Sequence, residues 1–234
     1  MRRQVRFYRD VVVEKAGEAY RILLDGKPLR TPAGAAFLLP NQALAQGIAD
    51  EWQAQGQKLN PESFHLTKLA NAAIDRVAPN REACVEQILA FAKSDLLCYR
   101  ATARQDLVAR QAAQWDPLLE WARARYGAKF QAAAGIAFVE QPPEAIERLA
   151  RALGCHDDFA LAALHAAAVL TGSAIIALAL SEGRLDADEA FAIAQLDELY
   201  QAEKWGQDPE ALIRSRSKGA ELTHIARFLS LCPR

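Results

Sequence analysis

The chain has 234 residues, half of them apolar, so it can bury a sizeable core without disulfide or metal staples. Its 28 Lys and Arg against 29 Asp and Glu leave a formal charge of −1. That balance excludes a nucleic-acid binder that relies on a basic face. The four cysteines, Cys84, Cys98, Cys155 and Cys232, are scattered without a C-x-x-C pair, and they read as reduced thiols in apolar surroundings. The N-terminus, Met1-Arg2-Arg3-Gln4, leads into strand-like residues without an apolar leader, which points to a cytoplasmic protein, or a mature form already trimmed.

Residues 5–13 and 20–24 have strand composition. Asp25-Gly26 between apolar runs is a type I′ hairpin signal, and Ala36 to Leu39 reads as a further strand. The first forty residues therefore form a small antiparallel meander. Asn41 then caps a helix with Leu44, Ile48 and Trp52 on one face. A second helix spans Leu66 to Val77. A third starts at Asn80 and presents Cys84, Ile88, Phe91 and Ala92, and Leu96 to Tyr99 is strand-like.

From residue 104 the pattern is helical. Asp116-Pro117 is either a helix start or a kink in one long helix that Gly127 ends. Lys129 to Val139 reads as a short hairpin or irregular excursion. Pro142-Pro143 opens a helix to Gly154. Phe159 to Leu180 matches the length of a membrane span, about 20 residues. Its apolarity is largely alanine, it contains His165, Thr171, Gly172 and Ser173, and no aromatic belt brackets it. It reads as one buried helix, with Gly172 where a neighbour packs closely. Asp186-x-x-Glu189 opens a helix through Lys204, and Asp208-Pro209 opens the last. The fold class is α+β: an α+β N-terminal domain over residues 1–95 and a helical C-terminal domain over 96–234.

Phosphate loops, dinucleotide fingerprints, H-E-x-x-H and G-x-S-x-G are all absent from the sequence. No catalytic residue, cofactor or metal is expected. Large aromatics beside charges stand out instead: Trp115 and Trp121 near Asp116 and Glu120, and Tyr200 and Trp205 in LDELYQAEKWGQD at 196–208. Such combinations mark binding surfaces, and equally a core stripe with a solvated acidic back.

Seven segments appear in order: RFYRD at 6–10, ILLDGKPLRTP at 22–32, LANAAIDRV at 69–77, SDLLCYRA at 94–101, QWDPLLEW at 114–121, LTGS at 170–173 and LDELYQAEKWG at 196–206. Together they resemble the assembly chaperones of the F-type ATP synthase that act on its alpha subunit. The resemblance implies a non-enzymatic, nucleotide-independent activity: binding unassembled alpha subunit and shielding its beta-facing surface. It also places a functionally important acid, Glu in mitochondrial members, at Asp197 of the L-[DE]-x-x-Y motif that includes Tyr200; these two, with Glu203 and Trp205 of the same aromatic and acidic run, are the expected partner-binding residues. A small-molecule enzyme using His165 or the acidic cluster in an interdomain pocket, and an adaptor for another helical partner, stay open as readings of the residues themselves.

Overall fold

A computed structural model describes residues 5–135, 137–206 and 208–233. Met1 to Gln4, read above for a leader, lie outside the described residues. The chain divides into two compact units. The first comprises residues 1–81, 157–163 and 227–234; the second comprises 82–156 and 164–226.

The first unit opens with an antiparallel sheet of β1 (Val11–Ala16), β2 (Ala19–Leu24), β3 (Lys27–Pro28) and β4 (Leu38–Leu39). β2 is central: β1 lies along one side, while β3 and β4 share the other. The Asp25-Gly26 hairpin forms as expected, both residues at positive φ (49° and 76°). The strand expected over 5–13 starts only at Val11. The Asp25 carboxylate explains this, because it accepts the N–H groups of Arg9 (2.9 Å) and Asp10 (2.8 Å). Those two bonds hold its carboxyl below the usual range.

Helix α1 (Gln42–Gln53) starts where Asn41 accepts the Leu44 N–H at 2.8 Å, and buries Leu44 and Ile48 with Ile22, Leu24, Phe37 and Leu39 of the sheet region. The same Asn41 donates through Nδ2 to the Leu231 carbonyl, also at 2.8 Å. Helix α2 (His65–Ala72) runs on through a π turn (Ala73–Val77) and a 3₁₀ turn (Ala78–Asn80).

The second unit is helical. α3 (Arg81–Lys93) buries Cys84, Ile88 and Ala92. Leu96 to Cys98 is a 3₁₀ turn capped by Asp95, which corrects the strand reading there. Only Tyr99–Arg100 is extended, as β5, pairing in parallel with β6 (Ala133–Ala134). α4 (Gln105–Tyr126) is one continuous helix, so Asp116-Pro117 starts nothing; Pro117 lies on its exposed face, where the carbonyl it leaves free meets solvent. Gly127 caps its end. α5 (Pro143–Gly154) follows the Pro-Pro signal.

The alanine-rich run is two helices, not one: α6 (Asp158–Thr171) and α7 (Ala174–Ser181). Gly172 separates them at φ 71°, and the Ser173 hydroxyl caps α7 by accepting the Ile176 N–H at 3.0 Å. A Cβ on Gly172 would meet only the Leu96 Cβ, at 3.9 Å, so backbone conformation rather than close packing selects glycine here. Among the described residues no helix is long and apolar enough to cross a membrane. The Asp186–Glu189 capping box forms, but its helix ends early: α8 (Ala187–Ala194) stops at Gln195 and α9 (Leu196–Trp205) begins there. α10 (Pro209–Leu231) closes the chain. Cys84, Cys98 and Cys232 are buried as expected, whereas Cys155 is exposed just beyond the end of α5.

Candidate functional site

The second unit places all four expected partner-binding residues on α9, opposite the first two turns of α4. α4 presents a buried stripe, Gln111, Trp115, Leu118 and Ala122, at helical spacing. Trp115 donates its indole N–H to the Ile193 carbonyl at 3.1 Å, satisfying a carbonyl near the end of α8. α9 buries Leu196 and Tyr200 and runs against α4 in the opposite sense.

Each of the four residues meets one α4-side residue in turn. Asp197, half-buried, accepts a hydrogen bond from the Gln111 amide at 2.8 Å, and Gln111 accepts the Ala101 N–H at 2.8 Å. Tyr200, only 2% exposed, donates its hydroxyl to the Asp106 carboxylate at 2.8 Å. That bond, together with Lys204 at 3.1 Å, holds the Asp106 carboxyl below the ordinary range. Glu203 takes a two-pronged bond from Arg110 (2.6 and 3.1 Å), which lowers its carboxyl in the same way. Trp205, 60% exposed, carries the Arg104 guanidinium over its ring at 4.2 Å.

These contacts differ in electrostatic kind. Glu203 is matched by a cation, and such exposed pairs contribute little to stability. Asp197 has only a neutral amide, and its second oxygen has no hydrogen-bond partner among the described residues. The outward side of α9 forms one wall of an open groove with α10. Its lining includes Glu198, Leu199, Ala202, Trp205, Leu212 and Lys218. His165, the candidate base of the enzyme reading, lies half-buried on α6, where burial pushes its imidazole below its ordinary value. Among the described residues no group of three or more His, Cys, Asp or Glu could hold a metal ion.

The sequence reading missed Gln111. Its signal was there: a polar residue one helical turn before Trp115, in register with an otherwise apolar stripe. It missed Asp95 as well, a fully buried carboxyl that accepts the Leu97 N–H (3.1 Å) and the Ile175 N–H (3.2 Å).

Known proteins place this arrangement in a family. The family model described as ATP12 chaperone protein matches residues 5–123. The structure resembles that of Atp12 from Paracoccus denitrificans, with 39% identity, a TM-score of 0.93, and coverage of 97% of this chain and 98% of that one. It also resembles the Atu1473 protein of Agrobacterium tumefaciens: 47% identity, a TM-score of 0.91, and coverage of 96% and 84%. Mitochondrial atp12 of Schizosaccharomyces pombe is 26% identical over 218 residues, 88% of this chain and 75% of that protein. The chain belongs to the ATP12 chaperone protein family, the ATP synthase assembly chaperones that its seven segments resemble.

Proposed function

We propose that this protein binds the unassembled alpha subunit of the F-type ATP synthase and shields its beta-facing interface until assembly, without catalysis and without a cofactor. The subunit of an obligate oligomer carries a large apolar interface, which aggregates if left uncovered. Family membership supports the reading, and the observation that carries it to particular residues is the state of Asp197. This carboxylate lies at the margin of a buried stripe with one neutral donor and an uncommitted oxygen. A client donor reaching that oxygen makes a charge-assisted hydrogen bond, strengthened as the contact excludes water. Further along α9, Glu203 and Trp205 add a charge and an exposed aromatic, and Tyr200 acts from beneath by holding α9 on α4.

Asp197→Asn tests this directly. The asparagine carbonyl still accepts from Gln111, so stability stays near native while the charge is lost. Retention of purified alpha subunit on the immobilised protein should fall, and Asp197→Glu should retain it. The wild-type protein should also suppress light scattering by alpha subunit diluted from denaturant, at a near-stoichiometric ratio and without nucleotide. Undiminished retention by Asp197→Asn, or an absolute need for ATP, contradicts the proposal.

A further inference from the structure

The first unit carries a feature that the α9 site does not use, the outer edge of β1. A two-residue turn, Gly17-Glu18, joins β1 to β2 and sets Ala16 opposite Ala19. In such a hairpin the residues flanking the turn exchange both of their backbone hydrogen bonds, and every second pair beyond them does the same. Glu14 with Arg21 and Val12 with Leu23 are therefore the inward-bonded pairs. Asp25 N–H donating to the Asp10 carbonyl at 3.0 Å continues the same alternation past the strand end. The N–H and C=O of Val11, Val13 and Lys15 consequently point away from β2.

No described residue pairs with them. β3 and β4 both take the far side of β2, and among the described residues the outward groups of these three residues make no hydrogen bond. Edge strands are ordinarily protected by proline, a bulge, inward charge or a covering element. β1 has an unbroken register over six consecutive pairs and no proline, and its only charged side chains are Glu14, paired with Arg21, and Lys15. The side chains beside the edge are mostly aliphatic: Val12, 50% exposed, shares one face of the sheet with the Arg21-paired Glu14, and Val11 and Val13, partly exposed, share the other with Lys15. Lys15 is exposed and has no ion pair among the described residues.

We propose that the free edge of β1 takes up, as an added strand, an extended aliphatic segment of the unassembled client that carries an acidic residue beside Lys15. Only another extended backbone offers donors and acceptors at the two-residue spacing of Val11, Val13 and Lys15. Aliphatic side chains of that segment extend the valine rows, and the acid answers the unpaired ammonium. Three outward residues make a short ladder, which suits a complex that must later be released. This inference rests on the client proposed above.

The test uses the full chain and purified alpha subunit. Val13→Pro removes an outward N–H and no bond to β2, and proline is tolerated on edge strands where its nitrogen faces solvent. We expect cooperative unfolding like wild type and client affinity lowered by about tenfold, the upper scale of one lost hydrogen bond. Lys15→Glu should weaken binding as well. Independently of any variant, the Val11, Val13 and Lys15 amides of the wild-type protein should exchange quickly when free and slowly in the complex. If Val13→Pro disturbs the fold, this exchange decides alone. Wild-type affinity in Val13→Pro, or unprotected amides in the complex, overturns the edge proposal while leaving the client reading intact. A wild-type protein that does not bind alpha subunit removes the client reading first, and the strand assignment with it. Self-association of the wild type that Val13→Pro abolishes would assign the edge to a second copy instead.

Discussion

Gly172 separates two explanations for a glycine inside an apolar helical run. If a neighbouring helix packs tightly against it, alanine is nearly tolerated and the cost grows with side-chain size. The structure assigns the other cause. Gly172 sits at φ 71°, its N–H bonds the Ala168 carbonyl at 2.8 Å to end α6, and its own carbonyl accepts the Leu96 N–H at 3.1 Å. A Cβ there meets a single carbon at 3.9 Å, an ordinary contact, so no steric term adds to the conformational one. Placing an L-residue in this left-handed conformation costs roughly 1–2 kcal/mol. Gly172→Ala should therefore lower the unfolding free energy by about 1–2 kcal/mol at unchanged denaturant slope. Gly172→Asn should lower it less, because asparagine enters the left-handed region more readily. Urea unfolding followed by circular dichroism measures both. An alanine variant indistinguishable from wild type refutes the conformational argument, and so does an asparagine variant markedly worse than alanine.

Asp95 predicts an unusual pH dependence. Burial pushes its carboxyl up to about 6 from 3.8, despite hydrogen bonds from Ser173 and the N–H groups of Leu97, Ile175 and Ala174. The unfolded chain releases this proton near pH 4 and the folded one near pH 6, so this group's contribution to stability falls as pH rises through that window, by about 3 kcal/mol in all, and is flat above it. The stability difference between wild type and Asp95→Asn, measured by urea unfolding at pH 4.5 and pH 7, should shift against wild type at the higher pH; a constant difference contradicts this. Asn41→Ala removes the α1 cap and the bond to the Leu231 carbonyl, and should cost about 1–2 kcal/mol in the same assay. Asn41→Ser, which keeps a capping oxygen but cannot reach as an amide does, should cost less than the alanine change.

The features legible in the sequence are those whose partners lie within a few residues. Asn41, the Asp186–Glu189 box and Pro142-Pro143 each announce a helix through their immediate neighbours, and Asp25-Gly26 announces its hairpin in the same way. Thr171-Gly172-Ser173 was also local, a left-handed glycine followed by a capping serine, but the apolar residues on both sides hid it behind a continuous helical pattern. The strand reading of Leu96 to Tyr99 failed for a related reason: Asp95, just outside the apolar run, caps a 3₁₀ turn and turns it away from extension.

The break at Gln195 had no local signal at all, and the candidate site depends on it. A helix continuing from Ala187 to Lys204 would carry Ile193, Leu196 and Tyr200 on one stripe, with Asp197 fixed by that stripe alone. Instead α8 ends, Trp115 takes up the Ile193 carbonyl from across the unit, and α9 starts again as a ten-residue helix. Its direction is then set by contacts to Arg104, Asp106, Arg110 and Gln111, residues 86 or more positions earlier in the chain. A helix this short gains little from its own propensity, so those contacts decide where Asp197 points. The motif L-D-x-x-Y identifies the acid, but only α4 determines what it can reach.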